Sequence, residues 1–399
     1  MKTIARPLNL RAIVEFFVVA VCTVTFALTA VGVCSSLLGR DSAGSRDFVE
    51  YWAAGHQLIY HKNPYDAEAL LGLERSIGFP QQLPAIIMGN PPSALLLVLP
   101  LGFVGAKTGE LIWELLLFAS LAASVQMIRT MYGTTKNLLH LLAYSFAPVL
   151  SCLLSGQITI FLLIGLTLFL RLHRSYPFWA GASLWLCLLK PHLFLPFGVV
   201  LALWIIRTRS FRVLGGTAFA LAVSSAIVTI MNPLVWMQYA EMMRQERLDR
   251  VLIPSPSTML RQYVYPHTLW LQCLPAGIGC VWALAYFLKR RTEWDWVRDG
   301  SLLMLVSVFV APYTWFMDQA VLVPALLRGA YLTPSRTLIA ILALMSAVIE
   351  IALLRKVPLL HSAFYVWSAP GFLVWYLFAI RSQSTRAALE VVPEPVEAQ

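Results

Sequence analysis

Asp47 is followed three and four residues later by Glu50 and Tyr51, inside RDFVEYWAAGHQLIYHKNPYDAEAL at 46–70. On a helix starting at Asp47 this spacing puts all three on one face. That face reads as a carboxylate base with polar company at a membrane surface, or Asp47 simply caps the helix behind it. Further along, Lys190 stands alone between apolar stretches in LCLLKPHLFLPFG, with His192 two residues on. A lone cation at a membrane boundary either snorkels to headgroups or binds an anion. A phosphate-bearing ligand would account for both Lys190 and His192. Asp318 is the one acid of a long apolar region, VAPYTWFMDQAVLVPAL, and Gln319 follows it. Tyr313 and Trp315 before it read as an interfacial aromatic belt or as a sugar-stacking platform. Gln157 interrupts an apolar run at GQ, as a cap or a ligand contact. Asn90 precedes a double proline that marks a helix start or a kink.

Together these residues make an inventory of one or two carboxylates, a Lys, a His, amides and aromatics. Such a set suits transfer of a sugar from a lipid phosphate. A carboxylate takes the acceptor proton, cations steady the leaving phosphate, and aromatics pack the apolar sugar faces.

The elements that must position them are helices in a bilayer. The chain has 399 residues, of which 59% are hydrophobic and 13% charged. Soluble domains run about 45–50% apolar and about 25% charged, so a soluble globule, a disordered chain and a small disulfide scaffold are all excluded. No Asp, Glu, Lys or Arg occurs in 16–39, 76–106, 137–170, 213–240, 262–288 or 357–380. Each run is long enough for a span of about 20 residues. Thirteen apolar segments can be drawn: 12–38, 85–104, 110–129, 138–153, 157–170, 177–189, 192–206, 213–231, 268–288, 300–316, 319–333, 337–354 and 359–380. Thirteen spans cannot leave both termini inside, so about twelve are expected. The fold class is all-α and polytopic. The first run reads as an uncleaved span.

The net charge of +10 sits in short Lys/Arg clusters between segments. That is the positive-inside pattern, and it calls for no nucleic-acid partner. Oriented by those clusters, the polar stretches 40–84 and 232–265 fall outside, as first and second extracytoplasmic loops with room for interfacial helices. Residues 1–380 form the membrane domain. Residues 381–399, ending VVPEPVEAQ, read as a disordered cytoplasmic tail. The six cysteines form no CxxC pair and read as small buried residues. Asp47, Glu50 and His56 are the nearest approach to a metal-ligand set and do not make one, so no metal or cofactor is expected.

Six motifs occur in one order: DFVEYWAAG at 47–55, NPYD at 63–66, NPP at 90–92, GQ at 156–157, KP at 190–191 and PYTWxxDQ at 312–319. As an ordered set they resemble the polyprenyl-phosphate-dependent glycosyltransferases of family 87, which have the GT-C fold and include bacterial α-1,2-mannosyltransferases. The resemblance spans about 10–380. It implies a bundle of about twelve helices in a bacterial plasma membrane. It also implies a polyprenyl-phosphate sugar donor, commonly the mannose, and inversion at the anomeric carbon. The acceptor would be a glycolipid or glycan, with membrane lipids as surroundings.

The family's general base carries to Asp47. Glu50, Tyr51, Tyr65, Asn90, Gln157, Lys190, His192, Tyr313, Trp315, Asp318 and Gln319 become substrate-binding candidates. The chain departs from the family pattern at Glu50-Tyr51-Trp52, which favours Asp47 over Glu50 as the base. Arg244, Arg247 and Arg261 match no motif. They are candidate phosphate ligands or ordinary solvated loop charges. A transporter or flippase for lipid-linked sugars is the competing reading. It is disfavoured because mid-span charges are few, the polar groups cluster on one side, and no repeat is detected. An assembly subunit without chemistry leaves Lys190 and Asp318 unexplained.

Overall fold

The computed structural model describes residues 10–39, 44, 46–132, 138–245, 253–359 and 362–390. They are helical and contain no strand. Seven helices are long and apolar enough to cross a membrane: Ala12–Leu38, Ala106–Met131, Pro191–Thr208, Phe211–Met231, Leu269–Arg290, Arg336–Leu354 and Ala363–Arg381. Their outer faces carry large bare apolar side chains, such as Phe16 at 76% exposure, Ile230 at 77% and Val281 at 68%. In water such surface would be driven together. In hydrocarbon it is at rest. The protein is a polytopic membrane protein.

The count differs from the twelve expected. Segments 85–104, 138–153, 157–170, 177–189, 300–316 and 319–333 fold as shorter helices or 3-10 turns. Proline and glycine do the breaking. Pro91, Pro92, Pro100 and Gly102 fragment the first, and the helix Ala147–Ser155 stops at Gly156. Short helices let loops dip to the level of the bundle, where irregular backbone is enclosed by protein. The last helix continues to Glu390, because the residues after Arg381 include good helix formers such as Ala387, Ala388 and Leu389. The expected disordered end at 391–399 lies outside the described residues.

The core lies between Ala106–Met131, Thr159–Leu172, Pro177–Cys187 and Trp296–Phe309, around Trp113, Leu162, Phe169 and Trp296. The expected interfacial helix of the first loop, Phe48–Ile59, is not laid on a surface. Ten of its twelve residues are buried. It presses backbone to backbone on the Leu99–Phe103 turn. A Cβ on Gly55 would meet Val98 O at 2.4 Å, and one on Gly102 would meet Gly55 O at 2.4 Å. Only paired glycines permit that approach. It holds the first loop inside the bundle.

Candidate active site

Helix Ala147–Ser155 ends on Gly156, whose φ of 74° is left-handed. Trp113 Nε1 donates to Gly156 O at 2.7 Å. The next helix begins at Thr159, so Gln157 falls in the short break between two buried helices. Its amide faces two ways. Nε2 donates to Asp47 Oδ2 at 2.8 Å. Oε1 accepts from Tyr51 Oη at 2.9 Å and from Lys190 Nζ at 3.3 Å.

Asp47 immediately precedes helix Phe48–Ile59, yet its side chain makes no capping hydrogen bond. The capping alternative therefore fails, and the carboxylate turns to Gln157 instead. Burial pushes the Asp47 carboxyl above its usual range, while Gln157, Lys190 and Arg46 offset part of that rise. Glu50, one turn on, is buried beside Asp47. Burial and the Asp47 charge push it up to about 8, so it is protonated at neutral pH. Burial raises both carboxyls of this helix face; at Asp47 the amide and cations nearby work against the rise, whereas the Asp47 charge adds to it at Glu50.

Lys190 donates to Asp318 Oδ1 at 2.7 Å and to Thr159 Oγ1 at 3.3 Å. Asp318 also accepts from Thr159 Oγ1 at 2.9 Å and from the Trp315 backbone N–H at 2.9 Å. Burial alone would raise the Asp318 carboxyl; the Lys190 ammonium outweighs it and holds the group below its ordinary value. Asp318 is fully buried and serves to fix Lys190. Asn90 Nδ2 donates to Leu189 O at 2.7 Å, which steadies the backbone before Lys190. The His192 ring stacks on Tyr313 at 3.9 Å between centroids. His192 Nε2 is buried with no hydrogen-bond partner among the described residues.

These groups line one cleft of about 540 Å³. Asp47, Glu50, Tyr51, Asn90, Gln157, Lys190, His192, Tyr313, Trp315 and Asp318 all border it. Four of the remaining candidates do not. Tyr65 lines a neighbouring groove and meets the cleft only through its ring partner Tyr239, at 5.5 Å. Gln319 points the other way, donating to Ser368 Oγ at 2.6 Å, since consecutive residues of a 3-10 turn diverge. Arg244 is exposed and pairs with Glu241 at 3.5 Å on its own helix. Arg261 is buried elsewhere, donating to Pro266 O at 3.2 Å. Arg247 lies outside the described residues. His56 packs at a tilt between Trp52 and Tyr60, away from the cleft.

Sequence reading passed over three positions. Arg46 is buried and bonds Leu154 O at 2.8 Å, Glu110 Oε1 at 3.1 Å, Glu114 Oε1 and Leu153 O. Glu110 and Glu114 one turn apart on an apolar helix were the available signal, because buried acids need a cation. Thr159 and Tyr239 carried no comparable signal. Arg46 and the Gly55–Gly102 contact together fix Asp47 from both sides.

The family model for glycosyltransferase family 87 matches residues 89–312, more than half of the chain. No curated protein matches the chain, and no solved structure does. The matched stretch contains Asn90, Gln157, Lys190, His192 and Tyr239; Asp47 and Asp318 flank it. With its apolar helices of crossing length, the chain belongs to glycosyltransferase family 87 and is a membrane glycosyltransferase.

Proposed function

We propose that this enzyme moves a hexose, mannose by its family resemblance, from a polyprenyl-phosphate donor to a hydroxyl of a lipid- or glycan-linked acceptor. The reading includes a GT-C bundle, inversion, and a cleft open to the extracytoplasmic side of a bacterial cell membrane. One observation carries it: Gln157 bridges Asp47 and Lys190 within a single cleft, a proton acceptor and a phosphate-binding cation one amide apart.

The chemistry follows from that spacing. The acceptor oxygen attacks the anomeric carbon as the bond from that carbon to the phosphate oxygen breaks. The bonding electrons leave with the polyprenyl phosphate. The acceptor proton passes to Asp47. Gln157 occupies Oδ2, which leaves Oδ1 for the proton. Lys190 carries three donors. Its bonds to Gln157 and Thr159, both 3.3 Å, are the long ones, and a phosphate oxygen would displace them while Asp318 keeps the ammonium charged. His192 is the second phosphate contact. Neutral Glu50 and Tyr51 hold sugar hydroxyls, and Trp315 and Tyr313 cover the apolar faces of the ring. Drawn this way, the step takes no metal and no organic cofactor.

Asp47→Asn tests it directly. With a polyprenyl-phosphate hexose as donor, transfer should fall by about 10³ while the amount of folded protein is unchanged. Full activity in that variant would remove Asp47 as the base.

A further inference from the structure

Beside the cleft lies a second, larger groove of about 770 Å³, between the 63–68 turn and helix Val235–Gln245. Ile87 borders both spaces. The Tyr65–Tyr239 ring pair links them as well, with Tyr65 on the groove and Tyr239 on the cleft.

The NPYD motif builds this groove's near wall. Asn63 Oδ1 accepts from Tyr65 N at 2.9 Å, and Asp66 Oδ1 caps helix Ala67–Ser76 through Glu68 N and Ala69 N, each at 3.0 Å. That turn drives Tyr65 inward. Its ring is 4% exposed, and its hydroxyl is buried with no hydrogen-bond partner among the described residues. A buried, unpartnered hydroxyl costs about 1–3 kcal/mol, a deficit that a ligand hydroxyl would relieve.

The opposite wall carries Gln238, Glu241 and Gln245. Gln238 Oε1 accepts from Asn232, which leaves its Nε2 hydrogens to donate. With Asp66 and Glu68 the carboxylates number three; Glu241 is paired with Arg244 at 3.5 Å, but no Lys, Arg or His is among the described residues lining the groove. The cleft is the reverse, with Lys190 and His192 on its wall. Amides and carboxylates match the donating and accepting hydroxyls of a sugar, whereas the carboxylates repel an anion.

We infer that this groove holds the acceptor, and that the acceptor there is an uncharged saccharide. The inference rests on the glycosyl-transfer reading above and adds the place and chemical class of the acceptor. The Tyr65–Tyr239 pair then divides an anion-adapted donor space from an anion-rejecting acceptor space.

The test uses the full-length enzyme with a polyprenyl-phosphate hexose donor. Octyl hexoside serves as the neutral acceptor, and octyl hexuronide as its anionic counterpart. Wild type should use the hexoside at least about tenfold better in kcat/KM. A Glu68→Gln/Glu241→Gln double variant should narrow that ratio severalfold. Tyr65→Phe, which keeps the ring and the fold, should raise KM for the hexoside about fivefold and leave KM for the donor unchanged. Equal use of both acceptors, or a ratio untouched by the double variant, overturns the inference. So does Asp47-dependent release of polyprenyl phosphate with transfer to neither sugar. Transfer that survives Asp47→Asn instead overturns the underlying reading.

Discussion

Arg46 and Asp47 are neighbours in the chain, and each ends beside buried groups of opposite character. Arg46 is buried between Glu110 and Glu114 and is further tied to two backbone carbonyls at the end of helix Ala147–Ser155. Asp47 reaches through Gln157 toward the Lys190–Asp318 pair. Both clusters join distant segments by ion pairs of low exposure. They differ in what borders them. The Arg46 cluster does not border the cleft, whereas Lys190 and Asp318 line its wall. Two of the three Lys190 bonds are long, while Arg46 is held at several short ones. A buried charge satisfied on every side is an anchor. One satisfied loosely beside open space is available to a ligand. Burial alone does not separate them.

Three substitutions or titrations would break that comparison, and the largest effect belongs to the anchor. Arg46→Met leaves Glu114 buried without its cation and Glu110 with only the longer Lys107 contact at 3.7 Å, and should cost about 3–5 kcal/mol of stability. Thermal unfolding in detergent would register it as loss of folded protein. Neutralising the whole cluster, with Arg46→Met, Glu110→Gln and Glu114→Gln together, should recover most of the stability and the activity. If the triple variant folds but stays inactive, Arg46 does more than anchor.

The site cluster should behave the other way. Lys190→Met combined with Asp318→Asn leaves no lone charge, so folded yield should hold. Transfer should nevertheless fall by about 10², the size expected for removing one charged contact to a leaving group. Near-normal transfer in this double variant would make Lys190–Asp318 a second anchor and erase the contrast.

The smallest effect is a titration. Glu50 is held up to about 8, so it is neutral below that pH and ionises beside Asp47 above it. Its raised value favours the folded state at low pH. That contribution is lost as pH rises from the unfolded value, about 4.5, through about 8. Thermal stability should therefore decline between about pH 4.5 and 8 and level off above, whereas activity should fall above pH 8, by about tenfold in rate by pH 9. Glu50→Gln should flatten that alkaline limb in a rate profile. On the acid side Asp47 is also raised, so transfer should fall off at a higher pH than an ordinary aspartate would dictate.

How far the site was legible varies by residue. Lys190 and Asp318 stood out as charges isolated in apolar sequence, and their ion pair explains both. Gln157 stood out as a polar break, but its three partners did not, because Asp47 is 110 residues away, Tyr51 106 and Lys190 33. Gln319 was grouped with Asp318 by adjacency. One step along a 3-10 turn sends it to Ser368 instead. Arg261 read as a loop cation, yet its helix packs on Leu269–Arg290 and takes the guanidinium out of solvent.

The sequence by itself determined the solvent and the parts. Runs of apolar residues without charge have no stable home but hydrocarbon, and helices satisfy their own backbone there. It also determined the breaks, since proline and glycine act locally through φ and the missing N–H or Cβ. Tertiary structure alone decided which charges meet. The pairs Arg46–Glu110, Asp47–Gln157 and Lys190–Asp318 are 64 to 128 residues apart, and no periodicity reaches across such gaps. They form because a buried charge is tolerated only beside its complement, and the packing of the bundle dictates which complement is within reach.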